Sequence, residues 1–379
     1  MKKIASWGVA VLALALGLSA CGAPPDQPAP GATSAAPGAT AAAPSSAAAP
    51  APGANYKACL VSDTGGFSDK SFNEAAKNGV DQAATELGIQ KVEMESKNDA
   101  DYAGNITALL AQNCSLIIAT GFNLEKAMVD AAKKNPNNHF AIVDDSPQDA
   151  PSNLKPIMFK TSEAGFLAGY AAAGYSPKGK VATFGGMQIP TVTIFMDGFA
   201  DGVAAYNKDS GKSVKLLGWD KATQKGSFLN SFGDQAAAQN MTQQFISQGA
   251  DIVMPVAGSA GLGSTGVAKQ NGASIVWVDQ DGYVTVPDFK DIMLTSVMKG
   301  IQPAVYDTIK GEVTAGKFDA TPYVGTIANK GVGIAPWHDF DSKLSADLKA
   351  KVTDLESQIA SGALKITSPA DAALGPAAK

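Results

Sequence analysis

Histidine and cysteine are scarce in this chain of 379 residues, which contains two histidines and three cysteines. Neither Cys59 nor Cys114 has a histidine close by in sequence, which argues against cysteine–histidine catalysis and against histidine-rich metal sites. The sequence also lacks a G-x-S-x-G elbow, a P-loop and an H-E-x-x-H motif. We therefore expect no catalytic residues, no resident metal and no cofactor.

Concentrated positive charge is missing as well. The net charge is −5, and charges of both signs are spread along the chain. Without a basic patch the sequence does not predict nucleic-acid binding, and without a block of lysines it does not predict a membrane-binding face. The apolar run at residues 9–18 is too short to span a bilayer, which takes roughly 20 residues.

That short apolar run belongs to an export signal. Lys2 and Lys3 precede it, and small residues follow it, which is typical of a secretory signal peptide at residues 1–20. Residues 18–21 read LSAC and resemble the lipobox of bacterial lipoproteins. This resemblance implies that Cys21 becomes the N-terminus, carries lipid and anchors the protein on the extracytoplasmic face of the cell membrane. An ordinary secreted protein is the alternative.

The segment after the lipobox has a very different composition. Residues 22–54 are almost entirely Ala, Pro, Gly, Ser and Thr, with no large apolar side chains to bury. We interpret residues 21–54 as a lipidated cysteine followed by a tether. Globular sequence begins at Tyr56. The remaining residues, about 320, are many for one hydrophobic core and sufficient for two lobes.

Strand and helix patterns alternate from Tyr56 onward, and the series starts a second time after residue 158. The helix predicted at 72–87, closed by Gly88, is one example. Short β-branched runs separated by helices predict parallel sheets covered on both faces. We predict lobe 1 at 56–158, completed by part of 285–320, and lobe 2 at 159–284, completed by part of 321–362. Residues 363–379 are predicted to be a weakly ordered tail.

Several polar groups follow predicted strands directly. Ligands of open parallel sheets bind beyond the carboxyl ends of the strands. This rule selects Asp63, Asp144, Asp279 and the turns at residues 65–66, at residues 185–186 and at Gly258. Gly258 would let the backbone approach a ligand closely. A single Asp after a strand more often caps a helix or forms a turn, but similar placement in both lobes favours a site.

Two cysteines remain in the globular part. Cys59 and Cys114 lie near the starts of two predicted strands. In an exported protein they can form a disulfide if those strands are neighbours, and two unpaired buried cysteines are the alternative.

Residues 261–266 provide the sharpest rival interpretation. They read GLGSTG, which matches G-x-G-x-x-G, and Asp279 ends the following strand where a ribose-binding acid would lie. A dinucleotide-dependent enzyme would carry this pattern. Two facts weigh against it: the fingerprint normally opens a lobe whereas this one comes late, and an exported protein meets little NAD.

Residues 63–73 read DTGGFSDKSFN and resemble the opening motif, D-x-G-G-x-x-D-K-S-F-N, of the basic membrane protein (BMP) family of substrate-binding lipoproteins. Further segments resemble the family in order along residues 56–340: GFLAG at 165–169, IPTVTIFMDGF at 189–199, VDQD at 278–281 and LTSVMK at 294–299. The chain departs from the family's V-D-x-D-Q at Gly282.

The resemblance implies a type I periplasmic-binding-protein fold with two Rossmann-like lobes and an interlobe ligand cleft. It also implies a monomer that captures a nucleoside, in the first place a purine nucleoside, and delivers it to an ABC permease. The same fold binding a sugar or another metabolite, or acting as a ligand sensor, is the alternative.

The family's nucleoside receptors also suggest residue roles. They hold the base between two Phe rings, which correspond to Phe72 and Phe195. By the same resemblance Asp279 and Lys299 contact the ribose, although Lys299 could instead balance the clustered acids. The base or ribose edge would be served by Asp63, Asn73 and Asp144.

Overall fold

The computed structural model describes residues 53–375, in which strands and helices alternate. The strands are β1 (Lys57–Val61), β2 (Gln90–Met94), β3 (Leu116–Thr120), β4 (His139–Val143), β5 (Leu154–Phe159), β6 (Lys180–Gly185), β7 (Lys215–Leu217), β8 (Trp219–Asp220), β9 (Lys225–Gly226), β10 (Ile252–Val256), β11 (Ser274–Asp279), β12 (Met293–Lys299), β13 (Tyr323–Gly325) and β14 (Val332–Ile334). The helices are α1 (Phe72–Leu87), α2 (Asp101–Ala111), α3 (Glu125–Lys134), α4 (Thr161–Tyr175), α5 (Pro190–Ser210), α6 (Gln235–Ser247), α7 (Leu262–Gln270), α8 (Gly282–Thr285), α9 (Ile301–Ala315) and α10 (Ala346–Ala360).

Each lobe is built on one six-stranded sheet. Lobe 1 has the order β13-β5-β4-β3-β1-β2 with every pair parallel. Lobe 2 has the order β14-β12-β11-β10-β6-β7, in which only the β12–β14 pair is antiparallel. The predicted fold class, two doubly wound parallel lobes, is confirmed.

Alternating side chains of the strands pack against helices on both faces of each sheet, as parallel sheets require. In lobe 1, Leu60 and Ile118 lie in one cluster with residues of α1 and α9, whereas Val61 and Ile117 lie in another with residues of α2 and α3. The predicted helix at 72–87 is confirmed, and it ends at Gly88 in the left-handed conformation, φ 71°. This helix carries several site residues at its start.

One strand extends lobe 2 beyond residue 284, where that lobe was predicted to end: β12 pairs with β11. Within 285–320, part of which was expected in lobe 1, helix α9 packs in one cluster with α1 of that lobe. Within 321–362, part of which was expected in lobe 2, β14 pairs with β12 in lobe 2, whereas β13 pairs with β5 in lobe 1. The chain therefore crosses between the lobes after β5, after β12 and after β13.

Close contact between α4 and α5 fixes where α5 begins and so where Phe195 lies. A Cβ atom added to Gly198 would lie 2.1 Å from the Ser162 carbonyl oxygen, and one added to Gly202 would lie 2.1 Å from the Phe166 carbonyl oxygen. Such distances are far below van der Waals contact, so only glycine permits this helix spacing.

The C-terminal segment is more ordered than predicted, so the expected weakly ordered tail is corrected for residues 363–375. Ile366, Ala370 and Leu374 are buried in the core that includes α5. Ser368 caps a 3-10 helix at Pro369–Leu374, and its hydroxyl donates to Asp197 Oδ2 at 2.5 Å. Residues 376–379 lie outside the described residues.

Strands β1 and β3 are parallel neighbours, and they bring Cys59 beside Cys114. The two sulfur atoms are bonded, with a Cα–Cα distance of 5.9 Å. This distance lies within the range of about 4.4–6.8 Å that disulfides require. The cross-link joins two central strands of lobe 1.

Candidate functional site

A narrow cavity lies between the two lobes, at the carboxyl ends of the strands. Both lobes contribute to its walls. The structure brings together in this cavity all eight residues selected from the sequence: Asp63, Phe72, Asn73, Asp144, Phe195, Gly258, Asp279 and Lys299.

A buried ion cluster spans the cavity from lobe to lobe. The Lys299 ammonium, at the end of β12, forms a salt bridge with Asp144, which follows β4 in lobe 1. The same ammonium lies 3.6 Å from Oδ1 of Asp279, at the end of β11. All three residues are less than one-tenth exposed, so their charges are balanced by one another rather than by water.

Burial raises the pKa of the Asp144 carboxyl to about 6, although Lys299 opposes this rise. The neighbouring carboxylates of Asp279 and Asp63 add to it by repulsion. The cavity therefore holds more carboxylates than one lysine can neutralise, and Asp144 takes up a proton at a pH well above that of an ordinary aspartate.

Two of these aspartates share an unusual backbone conformation. Asp144 has φ 65° and Asp279 has φ 68°, both in the left-handed region. Few residues other than glycine adopt this region, and aspartate is among the more tolerant. Each turn aims a carboxylate into the space between the lobes, and such local strain is often retained at binding sites.

The aromatic side chains come from opposite lobes. Phe72 is the first residue of α1, and Phe195 lies in the first turns of α5. The Lys299 ammonium lies 5.0 Å from the centroid of each ring. The two centroids are therefore at most twice that distance apart, about 10 Å.

Asp63 and Asn73 form a separate network inside lobe 1. Asn73 Nδ2 donates to Asp63 Oδ1 at 2.8 Å and to Asp69 Oδ2 at 3.1 Å. Asp69 also accepts backbone N–H bonds from Ser71, Asn73 and Glu74, and so caps α1. The cap fixes the first turn of α1, from which Phe72 and Asn73 reach the cavity.

The lobes are closed upon one another through the loop before α1. The Ser71 hydroxyl donates to Asp279 Oδ2 at 2.5 Å, and Gln280 Nε2 donates to the Ser71 carbonyl oxygen at 2.9 Å. Trp277 Nε1 donates to the Lys70 carbonyl oxygen at 3.1 Å. One loop of lobe 1 therefore bonds to the end of β11, next to the acid that lines the cavity.

Two glycines at the site have different explanations. Gly258 lines the cavity with φ 54°, two residues after the end of β10. Gly282, where the sequence departs from the family motif, does not line it. A Cβ atom at Gly282 would lie 2.6 Å from Trp277 Cβ, so the fully buried indole occupies the space of any side chain there.

One glycine of the dinucleotide-like sequence has a packing explanation. A Cβ atom at Gly263 would lie 1.9 Å from the Gln235 carbonyl oxygen, so this glycine lets α7 approach α6. Asp279 is already bonded to Ser71 from the other lobe. Neither observation requires a dinucleotide.

Asp69 and Phe232 are among the cavity-lining residues that sequence reasoning did not select. Asp69 left a signal, because an acid two to five residues before helical N–H groups is typical of a cap. Phe232 left none: it lies in the irregular segment before α6, and its carbonyl oxygen accepts from Ala260 N and from the Ser259 hydroxyl.

Replacing Lys299 with methionine should leave Asp144 and Asp279 buried without a cation. We expect the free energy of unfolding at about pH 8.5 to fall by about 3–5 kcal/mol, as for other buried pairs that lose one partner. The pKa of Asp144 should rise in the variant, because Lys299 lowers it in the wild type.

The pH dependence follows from that rise. A proton taken up by Asp144 at higher pH in the variant offsets the cost, so the deficit relative to wild type should shrink as the pH falls toward about 6 and then stay constant. Urea unfolding across this range measures it. Lys126→Met, which removes an exposed ion pair, is the control and should cost about 0.5 kcal/mol or less. A pH-independent deficit for Lys299→Met would contradict the interpretation.

Solved structures share this fold. A solute-binding protein of an ABC transporter system from Aeropyrum pernix K1 superimposes with a TM-score of 0.75 at 23% identity, covering 83% of this chain and 94% of that one. Within residues 53–375, no helix is both long and apolar enough to cross a membrane.

Curated relatives match at the sequence level over most of their length. The ABC transporter nucleoside-binding protein BmpA of Lactococcus lactis is 30% identical over 322 residues, covering 80% of this chain and 88% of the relative. Basic membrane protein A of Borreliella burgdorferi is 30% identical over 309 residues, covering 80% and 85%.

The family model described as "ABC transporter substrate-binding protein PnrA-like" matches residues 57–368, which include every described cavity residue. The family resemblance of the motifs at 63–73, 189–199 and 294–299 is thereby confirmed. The chain belongs to the Bmp family of PnrA-like substrate-binding proteins of ABC transporters.

Proposed function

We propose that this protein captures nucleosides, purine nucleosides in the first place, outside the cytoplasm and delivers them to an ABC permease without catalysing a reaction. The observation that carries the proposal is the pairing, in one interlobe cavity, of two aromatic rings with a cluster of carboxylates and one lysine. A nucleoside has the same two parts, a flat base and a polar sugar.

The rings suit the base. Stacking on Phe72 and Phe195 would add about 0.5–1.5 kcal/mol for each ring beyond the burial of area. Because the rings belong to opposite lobes, a base between them would contact both lobes at once and favour the closed arrangement. A permease can then distinguish the loaded protein from the empty one by its shape.

The ion cluster suits the ribose. A carboxylate can accept hydrogen bonds from two hydroxyls, and its charge strengthens each bond. Asp279 lies at the end of β11 beside Lys299, which donates but cannot accept. Together they offer acceptors and a donor to neighbouring hydroxyl groups of one sugar. The name of the Lactococcus lactis relative supports this assignment.

Lipid attachment is the second part of the proposal. Cys21 and the tether lie outside the described residues, so the support is the sequence LSAC at 18–21 and the composition of residues 22–54. The acyl chains would hold the protein at the cell membrane while the tether allows the binding domain to reach the permease.

Calorimetric titration tests the ligand. Residues 22–379 would be unfolded and refolded to remove any retained ligand, and then titrated with adenosine, guanosine, inosine, uridine and ribose. We expect at least one purine nucleoside to bind with a Kd between tens of micromolar and tens of nanomolar, since about 20 heavy atoms contributing roughly 0.3–0.5 kcal/mol each give about 6–10 kcal/mol. Ribose alone should bind far more weakly, because it offers no ring for Phe72 and Phe195.

The variant Asp279→Ala tests the site within the same titration. We expect its nucleoside affinity to fall about 10- to 150-fold, which corresponds to the loss of about 1.5–3 kcal/mol for hydrogen bonds to a charged group. Asp347→Ala, at an exposed position at the start of α10, should bind like wild type. Equal affinity of the Asp279 variant and wild type would remove the assignment, and tight ribose binding without nucleoside binding would favour a sugar receptor.

Metabolic labelling with a radioactive fatty acid tests the anchor. Wild type should incorporate label and sediment with membranes, whereas Cys21→Ser should do neither, because it lacks the thiol that is acylated. Ser46→Ala in the tether should behave like wild type. Label retained in the Cys21 variant would exclude acylation at this position.

A further inference from the structure

The side-chain amide of Asn73 is fully occupied by protein groups. Its Nδ2 donates to Asp63 Oδ1 and Asp69 Oδ2, at 2.8 and 3.1 Å. Its Oδ1 accepts from Thr120 Oγ1 at 2.5 Å and from the Asp63 backbone N–H at 3.3 Å. An amide has two N–H donors and an oxygen that accepts two bonds, so no position remains free for a ligand.

The reverse orientation of this amide is chemically excluded. Exchanging Oδ1 and Nδ2 would set an amide oxygen against two carboxylates and an N–H group against a backbone N–H. In each of those contacts an acceptor would face an acceptor or a donor would face a donor, and the hydrogen bond would be lost. Asn73 is also 1% exposed. Although it lines the cavity, its polar atoms are directed at neighbouring residues of lobe 1.

Asp63 has the opposite character, because one of its two oxygens is left available. Oδ1 accepts from Gly65 N and from Asn73 Nδ2, both at 2.8 Å. Among the described residues, none donates a hydrogen bond to Oδ2. A Cβ atom at Gly121 would lie 3.0 Å from Oδ2, so the absence of a side chain at position 121 keeps this oxygen accessible from the cavity.

We propose that Asn73 is a positioning residue that acts on the ligand only through Asp63, and that Asp63 Oδ2 is the atom presented to a donor group of the ligand. This inference rests on the proposed nucleoside function for the identity of the ligand. Ionised Oδ2 accepts from an N–H or O–H group, such as an exocyclic amine of a base or a sugar hydroxyl. Nucleosides that place a donor there should therefore bind more tightly than those that place an acceptor there.

The arrangement exists before the lobes close. Asp63, Asp69, Asn73 and Thr120 all belong to lobe 1, so none of their mutual bonds depends on lobe 2. A ligand arriving in the open cleft meets an acceptor that is already oriented. Such preorganisation improves affinity because less ordering remains to be done upon binding.

Asp63 can accept hydrogen bonds at both oxygens only while its carboxyl is ionised. Several charged groups near Asp63 set the pH range in which it is ionised. Burial raises the pKa of the Asp63 carboxyl, and repulsion from Asp99 and Asp279 adds to the rise, while the bonds from Gly65 and Asn73 oppose it. Asp69, Asp144, Lys299 and Tyr102 are the other titratable groups of the neighbourhood. Removing the Asn73 bond should therefore move the titration of Asp63 to higher pH.

The test compares Asn73→Ala, Asn73→Ser, Asp63→Asn and the double variant Asp63→Asn/Asn73→Ala with wild type, on the chain of residues 22–379. Asn105→Ala is the matched control, since it removes an amide on α2 that bonds to Ser96 and to no cavity residue. Carboxyl carbon-13 NMR follows the titration of Asp63 in the unliganded proteins. Calorimetry gives the affinity for the tightest-binding nucleoside across the same pH range.

If Asn73 acts through Asp63, its removal should shift the Asp63 titration, and the fall in nucleoside affinity on acidification, to higher pH. Well above that transition Asn73→Ala should lose less affinity than Asp63→Asn, which should lose about tenfold or more, because Asp63 Oδ2 is still present in Asn73→Ala but is less firmly oriented. Adding Asn73→Ala to Asp63→Asn should change affinity less than about twofold. Asn73→Ser retains a polar group that can donate a hydrogen bond, so it should shift the Asp63 titration less. It replaces the alanine variant in this test if that variant folds poorly.

The opposite pattern would overturn the inference. If Asn73 itself contacted the ligand, Asn73→Ala would lower the affinity by the same factor at every pH. It would also lower the affinity by that factor when added to Asp63→Asn. Failure of wild type to bind any nucleoside would remove the proposed function but not this test, because the NMR titration needs no ligand. An Asp63 titration unchanged in Asn73→Ala would then refute the positioning role.

Discussion

The contact between Lys299 and the two aspartates, Asp144 and Asp279, is the interaction on which the closed arrangement depends. Three buried charges meet where the sheets of the two lobes end, and none can be left alone without a cost of several kcal/mol. The cluster therefore ties the lobes together and leaves carboxylate oxygens for a polar ligand. An excess of acid over base also makes the cavity unsuited to further negative charge.

The general features of the fold and half of the site follow from the sequence by physical rules. Alternating strand and helix patterns predicted two parallel lobes, and the rule that ligands lie beyond the carboxyl ends of parallel strands selected Asp63, Asp144, Asp279 and Gly258. The structure explains why the rule works here: Asp144 and Asp279 end equivalent turns with left-handed backbones and point into the same space.

The rest could not be derived from pattern alone. Phe72 and Phe195 are indistinguishable from core residues by periodicity, and only the resemblance to a family singled them out. Phe232 lies in an irregular segment whose path depends on contacts with distant residues. The C-terminal segment was misjudged because its burial rests on three apolar residues four apart and on the Ser368 cap, too short a signal to show amphipathic periodicity. The amide of Asn73 is defined only by partners that folding brings to it.

A crystal structure of the refolded protein with its tightest-binding nucleoside tests the central claim most directly. We predict that the base lies between Phe72 and Phe195, that the ribose hydroxyls contact Asp279 and Lys299, and that Asn73 keeps its bonds to Asp63 and Asp69. A nucleoside bound outside this cavity, or bound within it without contact to both lobes, would contradict the account.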